Sequence, residues 1–131
     1  DSPNSPEGRL ILCPSEAIDG VRVSIQACPA QTEAADPASY IAGSVPPLWV
    51  LHGLEDDVLP FNQSELLFRA TAQWDNIARY TLVPSAGHAV DDIIGAAQGT
   101  TTYRFRDIEL VRETGGPSWG AVERFLATAL R

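Results

Sequence analysis

Two short apolar runs, each closed by a polar turn, set the pattern of this chain. Residues 48–51 read LWVL and residues 77–83 read IARYTLV, with Pro, Gly, Asp and Ser clustered around them. Continuous apolar runs of this length are expected of parallel strands covered on both faces. Between them, Asn62 or Ser64 is placed to cap a helix that reaches about Trp74. Leu66, Leu67, Ala70 and Thr71 would share its apolar face, and Glu65 would sit in the first turn near the positive helix end. Strand, helix and strand with short links predict a βαβ unit.

On either side the pattern is less regular. Residues 9–13, RLILC, are too few to assign by periodicity. Residues 21–27, VRVSIQA, alternate as a strand that Pro29 ends, and residues 30–46 form a long connection with one short helical piece near residues 39–42. Pro46 and Pro47 fix the entry to the next strand. Residues 91–97 predict a short helix stopped by Gly99. Residues 100–111, TTTYRFRDIELV, alternate as one bent strand or a hairpin, placed at a sheet edge by their charges. Pro117 or Ser118 opens a last helix to Leu130 with Val122, Phe125, Leu126 and Leu130 as its apolar stripe. The fold class expected is α/β: a mostly parallel sheet with flanking helices and an added edge strand or hairpin.

Composition narrows the classes. The 131 residues include 44% apolar ones, enough for one domain with a real core. No apolar run approaches the ~20 residues of a membrane span. The net charge of −8, with nine basic residues that are all Arg and nowhere clustered, argues against nucleic acid or an anionic membrane as partner. Residues 1–8, DSPNSPEG, are polar and Pro-rich, which predicts a loose tail or cut linker before a domain over residues 9–131. The chain has no Met and begins at Asp1, so the expectation is that something was removed upstream. Two cysteines, Cys13 and Cys28, make neither a zinc site nor a disulfide framework. The burial habit of free Cys favours two small buried hydrophobes over a bridge, and a bridge would suggest an oxidising compartment. Neither a metal nor a cofactor is called for.

The two turns carry the candidate chemistry. The first offers Glu55, Asp56 and Asp57; the second offers His88. A carboxylate and an imidazole at the carboxyl ends of neighbouring parallel strands can form the orienting half of a Ser-His-Asp relay, in which the acid fixes the tautomer and leaves the second ring nitrogen to the nucleophile. Glu55 and Asp57 are expected as solvated loop acids, Asp91 and Asp92 as helix-start residues, and His52 as a turn residue that ties down the acid loop.

The pattern H-G-x-x-D-x-x-x-P at His52, Gly53, Asp56 and Pro60, followed by Gln63-Ser64 and then by Gly87-His88, resembles the carboxyl-terminal third to half of an α/β-hydrolase. The nearest groups are acetylesterase- and feruloyl-esterase-like enzymes and the catalytic domains of prolyl-oligopeptidase-type peptidases. The resemblance covers about residues 20–130 and is strongest over 47–90. It implies a partial three-layer α/β-hydrolase sandwich, with Asp56 as the acid and His88 as the base of a carboxylic ester hydrolase acting on a small ester. It also implies that nucleophile and oxyanion hole come from an upstream hydrolase half.

Within the chain, candidates for the nucleophile are weak. Ser2 lies in a stretch whose Pro3 and Pro6 spoil the helix a nucleophile elbow needs. Ser118 sits in a formal G-x-S-x-G at residues 116–120, but after the acid and the histidine, where the family places it before both. Ser118 reads better as the cap of the last helix. The cysteines lack any activating signal. Little turnover is expected of the chain alone. The alternative is a catalytically incomplete hydrolase-like domain that binds a partner or pairs as a homodimer through an exposed sheet edge.

Overall fold

The computed structural model describes residues 28–106 and 108–131. The chain divides into two compact units, residues 1–40 and 41–131. The readings of residues 1–8, 9–13 and 21–27, including Ser2 and Cys13, lie outside the described residues.

In the first unit, helix α1 spans Pro29–Ala35 and a 3₁₀ turn spans Pro37–Tyr40. Pro29 opens this helix, because its missing N–H is one that a first helical residue leaves unpaired anyway. Asp36 turns the chain between the two, its Oδ1 accepting from Ala38 N at 2.9 Å, while the Tyr40 hydroxyl donates to Ala34 O at 2.6 Å. Cys28 is buried and disulfide-bonded, which corrects the expectation of a free buried thiol there.

The second unit is α/β. Strands β1 (Leu48–Gly53), β2 (Ala78–Val83), β3 (Gly99–Phe105) and β4 (Ile108–Thr114) form one mixed sheet in sequential order. β1 and β2 are parallel, from Leu48 opposite Ala78 to Gly53 opposite Val83, and joined by helix α2 (Phe61–Ala72). β2–β3 and β3–β4 are antiparallel. The stretch from residue 100 is thus a hairpin, and it turns at Arg106 in the left-handed region (φ 55°). A short helix α3 (Val90–Ile93) and helix α4 (Trp119–Ala129) complete the unit.

Two clusters fill the sheet faces. On one, Phe68 and Ala72 of α2 pack with Ala78 and Tyr80, joined by Val50 and Leu82; the Phe68 and Tyr80 rings stack at 5.7 Å. Burial pushes the Tyr80 phenol well above its ordinary range, with Glu65 adding to the shift, and its O–H donates to Phe61 O at 2.9 Å. On the other face, Val83, Ala86 and Ile93 pack with Leu51 and Ala96. There also a chain of polar groups crosses the strands. Trp49 Nε1 donates to Thr81 Oγ1 (3.0 Å), Thr81 Oγ1 meets Thr101 Oγ1 (2.8 Å), and Thr101 Oγ1 meets Thr114 Oγ1 (2.9 Å).

Several boundaries differ from the sequence reading. Pro60 takes an extended conformation and α2 starts directly at Phe61, so neither Asn62 nor Ser64 caps it. The buried stripe is Phe68, Thr71 and Ala72, while Leu66 is exposed. Of the expected face, Thr71 is buried and Leu67 and Ala70 are half-buried, so only Leu66 falls outside it. α3 ends early because Ile94 turns extended, and Gly95 follows at φ 79° with its N–H donated to Pro117 O. α4 has no buried residue; Leu126 and Leu130 of its expected stripe are exposed, and Phe125 is half-buried against Trp49.

Candidate functional site

The turns after β1 and β2 are stitched to each other before any side chain is counted. Leu54 N donates to Val83 O at 2.9 Å and Glu55 N to Ala86 O at 3.0 Å. Gly53 has no room for a side chain, since a Cβ there would collide with the carbonyls of Ala86 and Gly87. This close backbone approach brings the acidic turn beside the residue that follows Gly87.

Asp56 then folds back on its own turn. Its Oδ1 accepts from Val58 N at 2.9 Å and Leu59 N at 2.8 Å, the side-chain capping that Asp supplies in turns. Its Oδ2 accepts from His88 Nδ1 at 2.9 Å. The carboxylate is 6% exposed, whereas the His88 side chain is 57% exposed. The Leu59 N–H is the largest influence on the acid. Burial opposes it, but His88 and the Val58 N–H add to it, and the carboxyl falls from 3.8 to about 2. Asp56 therefore remains an anion, and an anion can only accept. His88 Nδ1 must carry the proton, and in the neutral ring Nε2 keeps its lone pair. Among the described residues nothing hydrogen-bonds Nε2.

His52 completes the arrangement from beneath. It is 4% exposed, with Nε2 2.9 Å from Leu59 O and Nδ1 2.6 Å from Ser64 Oγ. A carbonyl accepts, so Nε2 is the protonated nitrogen and the Ser64 hydroxyl donates to Nδ1. The same Nε2 lies 3.4 Å from Asp56 Oδ2. His52 thus pins the Leu59 end of the turn to α2, and the turn in turn presents its two N–H groups to Asp56. The sequence suggested the tie to the loop. Ser64, read as a helix cap, carried no signal as the partner, because the pairing bridges twelve residues through space.

The other acids and serines fall elsewhere. Glu55 and Asp57 are exposed, and Asp91 and Asp92 occupy the first turn of α3. Ser118 caps α4, its Oγ accepting from Ala121 N at 3.2 Å, and no hydrogen bond joins it to His88. Ser2 lies outside the described residues. Among those residues no group of three or more His, Cys, Asp and Glu side chains could hold a metal ion, and no helix is long and apolar enough to cross a membrane.

What the geometry defines is an α/β unit carrying an oriented carboxylate–imidazole pair at the carboxyl ends of two parallel strands. Comparison with protein-family models gives no match, and comparison with curated proteins gives none.

Proposed function

We propose that this chain is the acid-and-histidine portion of an α/β-hydrolase that cleaves small carboxylic esters by a serine relay. The observation that carries the reading is the 2.9 Å bond from His88 Nδ1 to a carboxylate held at about pKa 2, on an exposed imidazole whose Nε2 has no hydrogen bond among the described residues. In this reading Nε2 takes the proton of a serine hydroxyl as that oxygen attacks the ester carbonyl. It returns the proton to the departing alcohol, and repeats the exchange with water to release the acid. Asp56 fixes the tautomer and stabilises the imidazolium without itself taking the proton. Serine and oxyanion donors belong to an upstream segment in this reading, in keeping with an acid and base that occur here as neighbours with no nucleophile in hydrogen-bond reach among the described residues.

Fluorophosphonate labelling tests this. The 131-residue chain should remain unlabelled, while the full encoded protein should label at a serine before residue 1. In that protein Asp56→Asn should slow labelling by about 10⁴-fold through the wrong His88 tautomer. Labelling that is unchanged by both Asp56→Asn and His88→Gln would end the proposal.

The second reading, a catalytically incomplete module that binds a partner or dimerises, draws on one feature. β1 is the outer strand of the sheet among the described residues, with Leu48 to Leu51 only half-buried. Sedimentation of the chain alone separates the two, because edge pairing would give a concentration-dependent dimer.

A further inference from the structure

A second concave site lies at the other ends of the same strands. Trp49, Arg79 and Tyr103 stand opposite one another in register across β1, β2 and β3, so their side chains share one sheet face. Phe125 of α4 closes over them, edge-on to Trp49 at 5.4 Å. The Arg79 guanidinium lies 5.5 Å from the Trp49 and Tyr103 ring centres and 5.3 Å from that of Phe125. Beside it opens a groove of about 350 Å³, near the lower end of the range for small-ligand pockets.

The charges of this groove are uncompensated. Arg69, Arg104 and Arg106 pair with Glu65, Glu109 and Asp75. Arg79 and Arg124, both lining the groove, pair with no carboxylate among the described residues, and no acidic side chain lines it. In a chain of net charge −8 this is a local reversal of sign. Aromatic rings can cover the faces of a guanidinium, but they cannot satisfy the N–H groups at its edge. Those N–H groups suit a planar, bidentate acceptor.

We infer that the groove between α4 and the amino-terminal ends of β1 and β2 binds a small organic carboxylate with a flat apolar body, held by Arg79 and Arg124. The apolar walls from Pro47, Trp49, Ile77 and Phe125 take the body. Thr128 and Ala129 bring the carboxyl end of α4 to the groove, whose partial negative charge opposes any anion there and a doubly charged phosphate more than a singly charged carboxylate. The site does not depend on the relay, which lies beyond the opposite ends of β1 and β2.

Titration of the 131-residue chain with benzoate, followed by amide and indole N–H chemical shifts, tests this. Benzoate should give saturable shifts at Trp49 and Phe125, and neutral benzamide should bind at least about tenfold more weakly, the loss of one charge-assisted contact. Arg79→Gln should abolish the shifts. Arg124→Gln, at an exposed helix position, should weaken benzoate about fivefold or more and keeps the test decisive if Arg79→Gln unfolds. No saturable shift, equal binding of benzamide, or wild-type affinity in Arg124→Gln would overturn the inference. Inorganic phosphate binding as tightly as benzoate would overturn the carboxylate assignment.

Discussion

Replacing His52 by Ala should cost the folded chain about 2–3 kcal/mol, and half of that should vanish once Ser64 is already Ala. Both ring nitrogens are engaged, with Ser64 Oγ at 2.6 Å and Leu59 O at 2.9 Å, and the ring is 4% exposed. Each intramolecular hydrogen bond contributes about 0.5–1.5 kcal/mol net, and the emptied imidazole site adds a cavity cost of similar size. Ser64 and Leu59 are half-buried, so water can recover part of what they lose. Ser64→Ala alone removes one of the two bonds and should cost about 1 kcal/mol. In the double variant that bond is lost once, not twice, which gives a coupling energy of about 1 kcal/mol. Urea unfolding of the four proteins by circular dichroism measures it. Costs that add to within about 0.5 kcal/mol would refute the pairing. A second reading tests the link to the site: with Leu59 unpinned, its N–H should hold Asp56 less well, and the Asp56 carboxyl should titrate closer to its ordinary value by carbon NMR.

Other consequences follow from the same geometry. Asp56 titrates at about 2 when folded against an ordinary 3.8. Its contribution to stability is therefore complete above about pH 4 and disappears as pH falls through 2, and Asp56→Asn should flatten this part of an unfolding-versus-pH curve. Ser118→Ala should lower stability by about 1 kcal/mol through loss of the α4 cap, and should leave fluorophosphonate labelling of the full encoded protein unchanged. Thr81→Val keeps the shape but strands Trp49 Nε1 and breaks the bond to Thr101; a cost of about 1–3 kcal/mol by urea unfolding is expected, and a neutral result would remove that network from the core.

The apolar runs at residues 48–51 and 77–83 announced β1 and β2 because little polar alternation interrupts them, although Leu48 to Leu51 are only half-buried. The turn acid and the histidine were legible for a different reason, since they stand in polar turns that close the two strands, the first through Gly53 at a close backbone approach. What failed was local. α1 is seven residues with none buried, so no periodicity could announce it. The face expected of α2 held at Thr71 and failed at Leu66, where Phe68 is buried instead, because the packing is set by which residues meet Tyr80. The hairpin turns on Arg106 rather than on Gly or Asn, which deprived the sequence of its usual mark. The Arg79 cage joins three strands and a helix, and residues so far apart in sequence carry no common pattern.

The polar chain from Trp49 has one fixed end. An indole N–H can only donate, so Thr81 Oγ1 accepts there, while either hydroxyl can donate in the Thr81–Thr101 and Thr101–Thr114 links. The four side chains thus meet across four strands. Sliding any one strand by a single residue would send its link to the opposite face and strand the others indoors. Buried hydroxyls here act as a combination lock on strand alignment, a role for which oily side chains, indifferent to orientation, would be poorly suited.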